Sequence, residues 1–150
     1  MTITIETTDT VAASHGVKCL VYGRAGAGKT VLCGTAPRPL IISAEAVLLS
    51  LRGKRIPVIQ VSSLDELAEA YNWITTSADA KHIDTVCLDS VSEVAEVCLA
   101  DQLRRNKDGR KAFGEYANAM ISLVKGFRDL PGKHVVMTAK LGANKDELTG

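Results

Sequence analysis

Five short apolar stretches recur along the 150-residue chain, and longer stretches with helical periodicity separate them. Each apolar stretch is rich in Val, Ile or Leu and too short for a helix, which is typical of strands buried in a parallel sheet. The predicted strands are VKCLVY (17–22), PLIISA (39–44), PVIQV (57–61), TVCLD (85–89) and HVVMTA (134–139).

The intervening stretches predict amphipathic helices. LDELAEAYNWI (64–74) has apolar residues at helical spacing, and Ser63 precedes it as an N-cap. SEVAEVCLADQL (92–103) and AFGEYANAMISLVKGFRDL (112–130) have the same pattern. Strands that alternate with helices predict an α/β domain, with a mostly parallel sheet covered by helices on both faces.

The domain boundaries follow from where this alternation begins and stops. We expect residues 1–14 to be an N-terminal extension and residues 15–150 to form one domain. The ending LGANKDELTG is polar and contains no closing strand or helix, which predicts a chain truncated at its C-terminus.

Composition excludes some classes of protein and leaves others open. The net charge is only +1, so overall charge does not indicate a nucleic-acid or acidic partner. The four cysteines lack C-x-x-C spacing, which predicts reduced, buried thiols in the cytoplasm. No apolar run approaches the ~18 residues of a membrane helix, and the N-terminus lacks the positive region of a signal peptide. We therefore expect a cytoplasmic protein that does not bind membranes.

The stretch GRAGAGKT (23–30) matches the phosphate-binding loop G-x-x-x-x-G-K-[ST]. Its glycines let backbone N–H groups point at phosphate oxygens, and a helix after the loop would add its positive N-terminal dipole. The Lys reaches the β- and γ-phosphates, and the Thr hydroxyl coordinates Mg²⁺. We predict that ATP binds along Gly23, Arg24, Ala25, Gly26, Ala27, Gly28, Lys29, Thr30 and Val31.

Hydrolysis would need an acid near the metal and a base for the attacking water. Asp89 ends the apolar strand TVCLD, where its carboxylate would hold Mg²⁺ at the carboxyl edge of the sheet. The next residue is Ser90 rather than Glu, so the base must come from another strand. Glu45 follows PLIISA at the same edge and is the candidate base, with Glu93 as the next candidate.

These motifs, in this order, resemble the RecA-like recombination ATPases. The segments GRAGAGKT, LIISAEA, CLDSVSEV and HVVMTAKL carry the resemblance, which spans roughly residues 15–150. The chain looks most like phage-encoded members, some of which anneal single-stranded DNA. The resemblance implies a three-layer core with strand order 3-2-4-5-1, and a homo-oligomer with nucleotide at subunit interfaces. It also implies nucleotide and Mg²⁺ binding by Lys29 and Thr30, metal binding by Asp89, and Glu45 as the base of a DNA-stimulated ATPase.

Lys140 departs from the family pattern. The recombinases end their fifth strand with a Gln that senses the γ-phosphate, and this chain has Lys140 there. The lysine would contact the γ-phosphate in its own subunit or in a neighbour's, or it is a surface charge.

A second binding surface is predicted at RRNKDGRK (104–111). This segment lies between two predicted helices, so we expect it to form an exposed loop. In the resembled recombinases this place holds a DNA-contacting loop. Its cations would bind the phosphates of single-stranded DNA. They are Arg104, Arg105, Lys107, Arg110 and Lys111.

Two other functions fit the phosphate loop. A small-molecule kinase would use the basic segment as a lid over its nucleotide, and a regulatory switch would bind nucleotide without turnover. Stimulation of ATP hydrolysis by single-stranded DNA separates the three functions. A recombination ATPase responds to the DNA, a kinase instead needs an acceptor molecule, and a switch does not turn over ATP.

Overall fold

The computed structural model describes residues 3–45 and 48–142 of the chain. Five parallel strands form one sheet in the order β1-β5-β4-β2-β3, which confirms the predicted order 3-2-4-5-1. The strands are β1 (Lys18–Gly23), β2 (Pro39–Ser43), β3 (Val58–Gln60), β4 (Thr85–Leu88) and β5 (His134–Lys140). The helices are α1 (Thr8–His15), α2 (Lys29–Cys33), α3 (Leu64–Thr76), α4 (Val91–Arg105) and α5 (Gly109–Arg128). Two 3₁₀ turns span Leu49–Leu51 and Asp79–His82.

Side chains on the central strands alternate between the two faces of the sheet, as the two-residue period of a strand requires. On β4, Val86 and Leu88 face a large core shared with α3, α4 and α5. Cys87 faces the opposite side, where it packs with Cys33 of α2 and with Leu51. The sheet is therefore covered on both faces, and the larger core lies under α3, α4 and α5.

The two outer strands are less buried than their sequences predict. VKCLVY was expected to be a buried strand, but β1 lies at the edge of the sheet, with Leu20 60% and Tyr22 69% exposed. PVIQV was expected to be buried as well, and β3 at the other edge is mostly exposed. An apolar run indicates a strand, but it does not indicate how many neighbours that strand has.

Side-chain caps fix where the helices begin. Ser63 Oγ accepts a hydrogen bond from the backbone N–H of Glu66, so the predicted cap of α3 is present. Ser90 caps α4 in the same way, and Asp108 caps α5. The described residues include no helix long and apolar enough to cross a membrane.

The contact between α5 and α3 gives a stability prediction. Phe127 is fully buried, and its ring meets that of Tyr71 edge-on, with 5.1 Å between the ring centroids. We expect Phe127→Ala to lower the free energy of unfolding by ~3–5 kcal/mol, because it removes the ring and leaves a cavity. Urea denaturation measures the change.

The matched control is Phe113→Ala, because Phe113 lies on the same helix and is 53% exposed. We expect its effect to stay below about 1 kcal/mol. Equal losses in the two variants would contradict this packing.

Candidate nucleotide site

The parallel register brings the ends of four strands to one edge of the sheet. Gly23 at the end of β1 is the register partner of Lys140 at the end of β5. Leu88 of β4 is the partner of Ile42 on β2, and the ladder continues where Asp89 donates its N–H to the Ile42 carbonyl. The residues that follow these strands therefore meet at the carboxyl edge.

The loop after β1 has the curvature that a phosphate cradle needs. Gly26 and Gly28 have φ angles of 77° and 89°, which L-residues with a side chain rarely adopt. A Cβ atom on either glycine would project into open space, so this side of the loop is accessible to a ligand. The Nζ of Lys29 donates hydrogen bonds to the carbonyls of Gly23 and Arg24, at 2.8 and 2.9 Å. These bonds hold the lysine against its own loop.

The helix after the loop is short. α2 has only five residues and ends at Cys33, because Gly34 and Pro37 follow. The predicted helix dipole would therefore make a minor contribution here. Phosphate binding would depend instead on the N–H groups of the loop and on Lys29.

Asp89 is 4% exposed and lies at the end of β4. Its Oδ1 accepts a hydrogen bond of 2.5 Å from the Thr138 hydroxyl on the neighbouring strand β5. This bond fixes the carboxylate at the strand end and satisfies part of its hydrogen-bonding capacity.

The loop and the acids surround one cavity of about 320 Å³. That volume is near the lower end of the range for small-molecule sites. The predicted residues on its walls are Ala25, Gly26, Gly28, Lys29, Thr30, Val31, Glu45, Asp89 and Lys140, joined by Ser50 and Ser90. The structure thus brings together residues from the ends of four strands that the sequence separates by more than a hundred positions.

Glu45, which lines this cavity, has a raised pKa. Hydrogen bonding to Glu93, burial and the negative charges of Glu93 and Asp89 raise the pKa of Glu45 to about 7. The interaction with Glu45 and then the ion pair with Lys140 lower the pKa of Glu93. Glu45 is therefore the more basic of the two carboxylates.

Lys140 is held on the cavity wall by two contacts to α4. Its Nζ forms an ion pair with Oε1 of Glu93, and its backbone N–H donates to the Ser92 hydroxyl at 3.0 Å. The hydrogen bond and charge of Glu93 raise the pKa of Lys140. Lys140 is thus a charge on the cavity wall, with its side chain 46% exposed.

A family model described as an AAA domain matches residues 15–150. The chain belongs to this AAA domain family. No curated protein is significantly similar to the chain. The structure is similar to that of a KaiC-like protein from the hyperthermophilic archaeon Pyrococcus horikoshii OT3, with a TM-score of 0.51 and 15% sequence identity. That similarity covers 85% of this chain and 64% of the KaiC-like chain, and it confirms the predicted RecA-like α/β fold.

The oxygen atoms available at this site of the AAA domain fit a magnesium ion that is bound jointly by the protein and by the phosphates of a nucleotide. Mg²⁺ in nucleotide sites uses one or two protein oxygens and the substrate's phosphates rather than a cage of side chains. In residues 3–45 and 48–142 no cluster of three or more His, Cys, Asp or Glu side chains forms a metal site. Thr30 and Asp89, which line the same cavity, would supply the protein oxygens.

Sequence reasoning missed Thr138 and named Glu93 only as a second choice. A hydroxyl within the apolar stretch HVVMTA was the available signal for Thr138, since β5 lies beside the strand that ends at Asp89. Glu93 falls one helical turn after Asp89, but its contact with Glu45 depends on the pairing of β2 with β4.

The predicted basic loop at 104–111 is not a loop in the AAA domain. Arg104 and Arg105 end α4, Arg110 and Lys111 begin α5, and only residues 106–108 connect the helices. The prediction was wrong because Asp108 caps α5 and so starts that helix at Gly109, three residues before the predicted start.

Acidic partners already neutralise three of the five cations in this segment. Arg105 pairs with Asp65 at 2.6 Å and with Asp101 at 2.8 Å, and Arg104 also pairs with Asp101. Lys111 lies 3.7 Å from Glu115. In the described part of the chain, Lys107 and Arg110 have no ion pair.

The raised pKa of Glu45 gives a testable prediction about its titration. We expect Glu93→Gln to lower the pKa of Glu45 from about 7 toward the ordinary value for glutamate. The substitution removes the negative charge beside Glu45 and releases Lys140, and both changes favour the ionised carboxylate. A carbon-13 NMR titration of the Glu45 carboxyl group measures the shift directly.

The control is Glu96→Gln, because Glu96 is an exposed acid on the same helix. We expect it to leave the Glu45 titration almost unchanged. An unaltered midpoint in Glu93→Gln would show that Glu93 does not raise the pKa of Glu45.

Proposed function

We propose that this AAA domain binds ATP with Mg²⁺ at residues 23–31 and hydrolyses the terminal phosphate. The observation that supports it best is the shared cavity, which Lys29, Glu45 and Asp89 line from three different strand ends. A phosphate-binding lysine, an acid for the metal and a base for water are the parts that phosphoryl transfer to water requires.

Each residue has a distinct role in this proposal. Lys29 exchanges its bonds to the loop carbonyls for bonds to the β- and γ-phosphates, which match its charge. Glu45 accepts the proton of the attacking water, and a pKa of about 7 suits a base that works near neutral pH. Thr30 and Asp89 would hold Mg²⁺, which would offset the negative charge of the phosphates.

Lys140 would contact the terminal phosphate from within its own subunit. It lines the same cavity as Lys29 of the same chain, and Glu93 keeps its side chain there. An ATP phosphate would compete with Glu93 for this cation. Assembly into a homo-oligomer, with nucleotide at subunit interfaces, is a further proposal drawn from the family resemblance.

The proposal extends to single-stranded DNA, in recombination or annealing of the kind performed by the phage-encoded ATPases that the sequence resembles. Its support is that resemblance, together with two cations without an ion pair in the described residues, Lys107 in the α4–α5 connection and Arg110 in the first turn of α5. DNA that binds there would stimulate ATP hydrolysis, whereas a kinase or a passive switch would not respond.

Two substitutions separate nucleotide binding from hydrolysis. We expect Lys29→Ala to weaken ATP binding at least about tenfold, or ~1.4 kcal/mol, because the loop loses its cation. We expect Glu45→Gln to bind ATP normally and to hydrolyse it ~10²-fold more slowly, because the amide cannot accept a proton. Calorimetry measures the binding and phosphate release measures the rate. If Glu45→Gln hydrolyses ATP at the original rate, Glu45 is not the base.

The DNA proposal is tested by Lys107→Ala combined with Arg110→Ala. These two residues are chosen because removing Arg104 or Arg105 would also take away one of the two cations that pair with the buried Asp101. We expect weaker binding to a thymidine oligomer, and a plot of log affinity against log salt that is flatter by about 1.4, or ~0.7 for each lost phosphate contact. An unchanged slope would show that this segment does not contact DNA.

A further inference from the structure

A second cavity lies at the opposite edge of the sheet, where β2, β3 and β4 begin. It encloses about 310 Å³. Asp84 and Asp89 flank β4 at its two ends, so the edges are separated by roughly 17 Å, five residues at ~3.3 Å each. This amino-edge cavity is therefore distinct from the nucleotide site. It is lined by Arg38, Pro39, Lys54, Arg55, Ile56, Pro57, His82 and Ile83.

The side chains around the amino-edge cavity are strongly biased toward positive charge. Arg38 binds Asp84 through two hydrogen bonds of 2.6 Å, from Nε and Nη2, which leaves its other N–H groups free to donate. The Arg38 hydrogen bonds, followed by the charges of Arg38, His134 and Lys133, lower the pKa of Asp84. In the described part of the chain, Lys54 and Arg55 have no acidic partner. One acid, Asp84, thus accompanies three cationic side chains on the cavity wall, which are Arg38, Lys54 and Arg55.

Backbone conformation holds two of these cations in place. Arg38 and Arg55 have φ angles of 38° and 50°, and they are the two non-glycine residues with positive φ in the described ranges. Such conformations are unfavourable for residues with a side chain, and they concentrate at functional sites. Lys133 stabilises the wall behind them, since its Nζ donates to the carbonyls of Ala80 and Ile83 at 2.8 and 2.7 Å.

The remaining wall is apolar, formed by Pro39, Ile56, Pro57 and Ile83. Cations beside an apolar wall suit a ligand that carries a phosphate on a flat or apolar body, because guanidinium groups bind phosphate in a bidentate fashion and stack on rings. The volume is close to the smallest that small-molecule sites use.

We propose that the amino-edge cavity is a second phosphate site, which binds one phosphorylated nucleoside unit between Arg38, Lys54 and Arg55 and the apolar wall. The unit is either a free nucleotide or one residue of a nucleic-acid strand, since both present the same phosphate ester. The site is independent of ATP hydrolysis at the carboxyl edge.

The test uses the whole 150-residue chain carrying Lys29→Ala, so that ligand binding at the phosphate loop is weakened. Calorimetry measures binding of thymidine 5′-monophosphate, and fluorescence anisotropy measures binding of a labelled twelve-residue thymidine oligomer. The variant adds Lys54→Ala and Arg55→Asn, because asparagine tolerates positive φ and preserves the local backbone. The control instead adds Lys125→Ala and Arg128→Ala, which remove the same charge from exposed positions on α5.

We expect the variant to bind one of the two ligands at least about tenfold more weakly, while the control changes either affinity by less than about twofold. Weaker binding of the monophosphate identifies a free nucleotide as the ligand. Weaker binding of the oligomer alone, with a salt dependence flatter by about 0.7 for the one phosphate contact that is lost, identifies a strand.

Three results would overturn the proposal. The first is that neither ligand binds the parent protein, and the second is that variant and control lose affinity equally. The third is that inorganic phosphate displaces either ligand as effectively as thymidine monophosphate does, since the apolar wall would then contribute nothing. ATP hydrolysis by wild-type protein is measured separately, so a negative result for the amino-edge cavity would not contradict the proposed ATPase activity. A thermal melt confirms that each variant is folded.

Discussion

The candidate site depends on the parallel pairing of β1, β5, β4 and β2. Parallel strands all end at the same edge, so one register sets the relative positions of the phosphate loop, Lys140, Asp89 and Glu45. A shift of one residue between β4 and β5 would break the hydrogen bond that Asp89 accepts from the Thr138 hydroxyl. It would also turn Met137 away from the core. The same apolar contacts that stabilise the sheet therefore position the polar groups at its edge.

Electrostatic balance at that edge comes from groups on different elements. Asp89, Glu45 and Glu93 lie close enough to influence one another's ionisation, and the strain of like charges is relieved by a proton on Glu45 and by Lys140 on Glu93. ATP phosphates would bring more negative charge, and Mg²⁺ with Lys29 would have to offset it. Nucleotide binding would therefore be coupled to protonation of Glu45, because each would change the electrostatic potential at the other.

The strands and the phosphate loop could be predicted from the sequence because both are local patterns, whereas the strand order came from the family resemblance. Apolar runs identified all five strands, and GRAGAGKT identified the loop without any tertiary information. The misjudged features depend on spatial neighbours that the sequence does not display. The exposure of Leu20 and Tyr22 follows from the edge position of β1, and the raised pKa of Glu45 follows from the strand pairing that brings Glu93 near it. The basic segment was misjudged because charge counting ignores Asp65 and Asp101, which lie elsewhere in the chain and neutralise Arg105.

Charge is unevenly divided between the two edges of the sheet, although the whole chain is nearly neutral. The carboxyl edge holds Asp89 and Glu45, the acids proposed to bind a metal and to activate water, together with Lys29 and Lys140. The amino edge holds Arg38, Lys54 and Arg55 with Asp84 as their acidic partner. An anion is thus attracted to both edges, but only the carboxyl edge offers carboxylates that would hold its magnesium. This difference separates a site that would do chemistry on a phosphate from one that would only bind it.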